Sequence, residues 1–208
     1  MLKKFKSVAV IDFETTGLSP ENDYPTEVAI LKVNLENGNE EEFESLIKLP
    51  KGVEVPSFIT ELTGLTTEKV NEKGQSIQFI KELLEEMIIN DTLVVAHNAN
   101  FDLGFLYHHF GIKPVNFICT RTIEFLTNPE VSSSLEPTYK RYFEDVEQEH
   151  RALKDVYMTI NLFDKHKEVH GSGIEFFLNK VMITPERKLV YTPDNAKVLD
   201  FSVVFEKR

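Results

Sequence analysis

Residues 8–11, Val-Ala-Val-Ile, run without a break into Asp12-Phe13-Glu14-Thr15-Thr16-Gly17-Leu18. An apolar, β-branched run ended by a turn signal predicts a short buried strand over residues 7–13. A buried strand needs neighbours, and the following segments supply them. Residues 27–35 and 40–49 read as two further strands around the turn Asn37-Gly38-Asn39, giving a β-meander. Residues 76–89 place Ile77, Ile80, Leu83, Leu84, Met87 and Ile88 at helical spacing, and residues 93–96 read as a buried strand. A helix over 101–110 ended by Gly111, a strand over 116–119 and helices over 133–142 and 151–166 complete the pattern. A meander followed by α/β alternation implies a mixed five-stranded sheet, antiparallel in its first part and parallel in its second, flanked by helices.

The 208 residues suffice for one substantial core. No stretch approaches the roughly 20 apolar residues that span a bilayer, and no signal-peptide core precedes the first strand, so a soluble, cytoplasmic protein is expected. Cys119 is the only cysteine, which excludes an intramolecular disulfide framework and a cysteine-based metal cluster. The net charge of −11 argues against a broad basic surface for duplex nucleic acid. It is compatible with a site that gathers acids around divalent cations, because bound metal reverses the local field.

Three segments carry chemistry. Residues two apart on a strand share a face, so Asp12 and Glu14 can send both carboxylates into one site. With 34 acids in the chain, an acid-x-acid pair arises about five times by chance, so a solvated surface pair is the alternative. The second segment, Ala96-His97-Asn98-Ala99-Asn100-Phe101-Asp102, lies where a buried strand gives way to a helix, a natural place for phosphate. There Asp102 also reads as a first-turn acid complementing the helix dipole, and His97 as a structural histidine. The third is His150-Arg151-Ala152-Leu153-Lys154-Asp155. Five helical positions rotate by about 140°, so His150 and Asp155 converge only if His150 sits on the preceding loop or first turn. A histidine so placed beside a carboxylate suits proton abstraction from an attacking water, while the alternative is an exposed histidine beside one more solvated acid.

In their order and context these segments resemble the DEDDh family of proofreading-type 3′-to-5′ exonucleases, which includes the epsilon subunit of bacterial DNA polymerase III. The resemblance covers residues 7–164. It includes Ile59-Thr60-Glu61-Leu62-Thr63-Gly64-Leu65-Thr66, Cys119-Thr120-Arg121-Thr122 and Ser134-Leu135. Family members with tyrosine in place of histidine use a Tyr-x-x-x-Asp spacing; here the histidine lies five residues before Asp155, which selects the histidine subclass.

The resemblance implies a ribonuclease-H-like fold and a catalytic set of Asp12, Glu14, Asp102, His150 and Asp155. It further implies two Mg²⁺ or Mn²⁺ ions about 3.5–4 Å apart, bridged by Asp12, with Glu14 and Asp155 on the nucleophile side and Asp102 on the leaving-group side. His150 is then the general base. Thr15, Thr16, Leu18, His97, Asn98 and Phe101 are implied contacts of the terminal nucleotide, although Leu18 and Phe101 read equally well as core residues. The expected partner is nucleic acid with a free 3′ end, DNA before RNA and unpaired before blunt, with any polymerase on a separate chain. An exoribonuclease or oligonucleotide scavenger would use the same residues, and a silent polymerase accessory would be expected to have lost an acid. The exonuclease domain is expected over residues 1–170. Residues 171–208 form a C-terminal extension of unassigned role with strand-like runs at 188–191 and 198–205. The acidic clusters 40–42 and 144–149 read as solvated loop or turn surface.

Overall fold

A computed structural model describes residues 2–114, 116–143, 150–185 and 187–202. Strands β1 (Ser7–Thr15), β2 (Pro25–Asn34) and β3 (Glu40–Leu46) form the meander. Short helices α1 (Ser57–Thr63) and α2 (Thr67–Lys73) and the longer α3 (Ile77–Met87) follow. Next come β4 (Thr92–Ala96), α4 (Ala99–Phe110), β5 (Asn116–Cys119), α5 (Thr120–Thr127), α6 (Leu135–Tyr142) and α7 (Ala152–His170). A 3₁₀ turn (Gly171–Phe177) leads to β6 (Lys180–Ile183) and β7 (Lys197–Asp200). The main sheet has the order β3-β2-β1-β4-β5; β1 is antiparallel to β2 and parallel to β4, as β4 is to β5. The expected mixed five-stranded sheet is therefore present.

Alternation along β1 divides the core. Ala9, Ile11 and Phe13 join one cluster with residues of α3 and α4, whereas Val8 and Val10 join another with Ala152, Val156 and Phe163 of α7. Both faces are covered, which explains why β1, β2 and β4 read as nearly continuous apolar runs. Glu40, Glu41 and Glu42 are exposed as expected, but they lie on the edge strand β3, where charges discourage pairing with another chain. The cluster at 144–149 lies outside the described residues.

The C-terminal part departs from its sequence pattern. The strand is at Lys180–Ile183, not 188–191, and it pairs in parallel with Lys197–Asp200. Leu189 and Tyr191 instead pack against the cluster shared by β1 and α4, so their apolar character is met by side-chain packing rather than by a sheet. Of the run expected at 198–205, residues 198–200 are strand and 203–205 lie outside the described residues. Asn179 ties this part to β5: its side chain accepts from the Phe117 N–H at 2.8 Å, and its own N–H donates to the Phe117 carbonyl at 2.8 Å. Its φ of 57° lies in the left-handed region, which asparagine tolerates better than alanine. Among the described residues no helix is long and apolar enough to cross a membrane.

We expect Asn179→Ala to cost about 1–3 kcal/mol, because it leaves the Phe117 N–H unmet and strains the backbone. Asn179→Asp, which keeps the acceptor, should cost less. Urea unfolding of the three proteins checks this; equal midpoints for wild type and Asn179→Ala would contradict it.

Candidate active site

Pairing between β1 and β4 stops at Val10 and Val95, so the last residues of β1 have no strand on that side. The Phe13 N–H left free there donates to Asp102 Oδ1 at 3.3 Å. This brings the first turn of α4 against the end of β1, and the stacked rings of Phe13 and Phe110 hold the same helix further along. Asp102, an acid of the first turn of α4, is thereby buried, at 2% exposure, beside the acids of β1.

Asp12 and Glu14 follow Val8 and Val10 on the face that α7 covers. α7 begins at Ala152, which leaves His150 on the preceding loop with φ 43°. The helical-rotation problem between His150 and Asp155 is resolved in this way: ligand atoms of Glu14, His150 and Asp155 all lie within 4.8 Å of one another.

Electrostatics ties the remaining acids to this group. Burial, then the charges of Asp102, Asp155, Glu14 and Glu27, hold the Asp12 carboxyl well above its ordinary range. Burial, with Asp155, Glu27 and Asp102, pushes Glu14 up to about 8 against the opposing pull of Arg151. Burial pushes Asp102 up to about 7 despite its bond from Phe13. Carboxylates so crowded favour protons in the absence of other cations, and the same repulsion makes a divalent cation welcome. The donor set, hard oxygens with one imidazole, fits Mg²⁺ or Mn²⁺ better than a thiophilic metal.

Sequence reasoning missed Glu27 and Arg151. Glu27 pairs in register with Glu14 and is fully buried. It accepts from Arg151 Nε at 3.0 Å, from Arg151 Nη2 at 2.6 Å and from the Ala152 N–H at 3.2 Å. This clamp fixes the start of α7, and with it His150 and Asp155. The available signal was an acid inside an otherwise apolar strand, Thr26-Glu27-Val28-Ala29-Ile30.

The implied nucleotide contacts divide. Leu18, 75% exposed, lines a cavity of about 420 Å³ together with Asn98 and Phe101. Leu18 is thus not a core residue. Thr15, Thr16 and His97 are absent from that lining. The Thr15 hydroxyl donates to the Gly17 carbonyl at 2.6 Å, and Thr16 Oγ1 accepts from the Tyr24 N–H at 2.9 Å, so both brace the turn after β1. His97 bonds Thr120 Oγ1 at 3.0 Å and the Ser133 carbonyl at 2.9 Å, and burial pulls it down to about 3. It links the end of β4 to α5 as a neutral strut.

A family model described as exonuclease (RNase_T) matches residues 9–163. The chain belongs to this exonuclease family. The chain is 34% identical over 185 residues to the PolC-type DNA polymerase III of Streptococcus mutans, covering 84% of this chain and 12% of the polymerase. It is 32% identical over 171 residues to that of Thermotoga maritima, covering 77% of this chain and again 12% of the relative. Among solved structures, Escherichia coli exonuclease I in complex with a dT13 oligonucleotide superimposes with a TM-score of 0.70 at 18% identity, covering 82% of this chain and 43% of that one. The exonuclease I of Methylocaldum szegediense gives 0.66 at 21%, with 82% and 42% covered. These structural likenesses establish a shared ribonuclease-H-like fold, and the DEDDh resemblance read from the three motifs agrees with the family. The chain spans only a small part of the polymerases it matches.

In metal-free protein, stability should fall as pH rises from 6.5 to 8.5. Unfolded Asp and Glu, with ordinary values of 3.8 and 4.5, are already ionised there, whereas folded Glu14 and Asp102 still release protons near 8 and 7. A raised folded-state value gives stability that is lost as pH passes through it. His97 and His166, pulled down to about 3 and 4, are neutral in the folded protein, whereas unfolded histidine, with its ordinary value of 6.5, is half protonated at the lower end of this window; the two therefore add a smaller opposing gain that is largely complete by pH 7.5. Urea midpoints measured in EDTA at pH 6.5, 7.5 and 8.5 should decline; a rising midpoint would contradict the crowding of these acids.

Proposed function

We propose that this exonuclease hydrolyses phosphodiester bonds at the 3′ end of DNA, preferring single-stranded or frayed ends, and releases nucleoside 5′-monophosphates. The observation that carries the proposal is the convergence of Glu14, His150 and Asp155 within 4.8 Å, at the end of the strand that also presents Asp12. Asp12, Glu14, Asp102 and Asp155 would hold two Mg²⁺ or Mn²⁺ ions. When bound, such ions neutralise the carboxylates and the charge that gathers on the phosphate during displacement.

The chain's own residues supply the rest. His150 takes the proton of the attacking water, its loop position leaving the imidazole free of the helix. Glu14 accepts a hydrogen bond from the free 3′ hydroxyl, which makes an end obligatory. Leu18 and Phe101 offer apolar contact to the terminal base, which is sequence-tolerant. Fraying a paired end costs about 1.4 kcal/mol per stacking step, so an unpaired end reaches the site more readily. DNA is favoured over RNA because the curated relatives are DNA polymerases, and a polymerase is the partner this relationship suggests.

The test is digestion of 5′-labelled single-stranded and blunt duplex DNA with Mg²⁺, Mn²⁺ or EDTA. A ladder shortening from the 3′ end, faster on the single strand and absent in EDTA, is expected. Asp12→Asn should fall below a hundredth of wild-type rate, a loss of at least about 2.7 kcal/mol of transition-state stabilisation. His150→Ala should lower kcat by about 10²-fold or more. Release of labelled mononucleotide at the outset, or an Asp12→Asn rate above a hundredth of wild type, would overturn the proposal.

A further inference from the structure

The cavity that holds Leu18 and Phe101 has a second wall that does not come from the sheet and helices carrying the acids. Two of its lining residues are close to the acids in the chain: Leu18 is four residues beyond Glu14, and Phe101 adjoins Asp102. The C-terminal segment also contributes to the lining, through Met182, Thr184, Arg187, Lys188 and Val190.

This segment is fixed in place. Val181 belongs to the main core, and the Val190 N–H donates to Asn100 Oδ1 at 3.1 Å, joining it to the first turn of α4. Tyr191 stacks on Tyr107 with centroids 5.3 Å apart. The approach to α4 depends on Gly104, where a Cβ would come within 2.9 Å of Tyr191 Cβ. Thr184 and Arg187 exchange backbone hydrogen bonds at 3.0 and 3.1 Å, closing a tight turn that presents Arg187 at the cavity.

The charge of this wall is opposite to that of the chain. Arg187 and Lys188 face a cavity that also contains Arg121, in a protein with 34 acids against 23 lysines and arginines. Among the described residues no carboxylate pairs with Arg187 or Lys188, and Arg121 donates to the Ser133 hydroxyl at 3.3 Å. Burial holds the Arg187 guanidinium below its ordinary range. Cations without counter-charges beside apolar side chains make a surface for phosphates and bases together. At about 420 Å³ the cavity is within the roughly 300–1,000 Å³ usual for ligand sites.

We propose that Val181, Met182, Thr184, Arg187, Lys188 and Val190 form one wall of the substrate site and grip single-stranded DNA next to the scissile end. Arg187 and Lys188 pair with its phosphates, and Met182 and Val190 lie against its bases. This rests on the exonuclease reading above and gives the C-terminal segment a role in substrate binding.

The test is binding by the full chain of a 5′-fluorescein dT12 oligonucleotide, followed by anisotropy in EDTA, where nothing is cut, between 50 and 200 mM NaCl. The double substitution R187E/K188E should weaken binding at least tenfold at the lowest salt. The slope of log affinity against log salt should become shallower by about 0.7 for each phosphate that is no longer neutralised. A charge-matched control at exposed lysines outside the cavity, K51E/K73E, should weaken binding less than threefold. If R187E/K188E does not fold, the neutral pair R187Q/K188Q should still weaken binding at least threefold with a shallower slope. Cavity variants that bind like wild type, or no worse than the control, while wild type binds and degrades DNA would overturn this wall alone. A wild-type protein that neither binds nor degrades the oligonucleotide would overturn the exonuclease reading and this inference with it.

Discussion

Four acid side chains at one end of a strand repel one another, and much of the structure around β1 serves to keep them there. Asp12 and Glu14 are fixed by the alternation of a strand whose other residues are locked in two apolar clusters. Asp102 is drawn in because the parallel pairing of β1 and β4 ends early and leaves the Phe13 N–H to be met. Asp155 arrives on α7, the helix that covers the opposite face. Packing energy distributed over both faces holds charges that would separate if free, so the unfavourable electrostatics is concentrated where a cation can relieve it.

The Glu27–Arg151 clamp is the counterpart of that repulsion. Glu27 adds another buried acid beside Glu14, and it is tolerated because a guanidinium and a backbone N–H satisfy it. Removing one partner of such a pair leaves an uncompensated buried charge, typically costing about 3–5 kcal/mol, a larger effect than the net worth of the pair itself. Its structural consequence is positional: α7 starts at residue 152, so His150 stays off the helix and turns back toward Glu14 and Asp155. A second buried acid, Glu124, has a comparable role away from the site, accepting from Arg141 at 2.6 Å and so linking α5 to α6.

What could be read in the sequence was what periodicity and local order encode. The five sheet strands and the three acidic segments are visible because apolar runs lead directly into them, and helical rotation sets the condition that His150 must lie on the preceding loop or first turn if it is to meet Asp155. Non-local pairing was not legible. Nothing near residue 27 announces its partner 124 residues away at Arg151, and an isolated apolar stretch such as 188–191 looks the same whether it enters a sheet or packs against a helix. Helices α1, α2 and α5, each seven or eight residues long, were not legible in the sequence. Thr15, Thr16 and His97 sit within the motifs, but hydrogen bonds commit them to bracing turns and joining elements.

The claim on which the rest depends is that the carboxylates at the end of β1 form a divalent-cation site. Calorimetric titration of Mn²⁺ into the protein at pH 7.5, repeated in buffers of different ionisation enthalpy, tests it directly. Saturable binding with net proton release is expected, because Glu14 and Asp102, held near 8 and 7, must give up protons as the cation enters. Affinity should fall at least tenfold in Asp12→Asn. No saturable binding, binding without proton release, or equal affinity in Asp12→Asn would contradict the account.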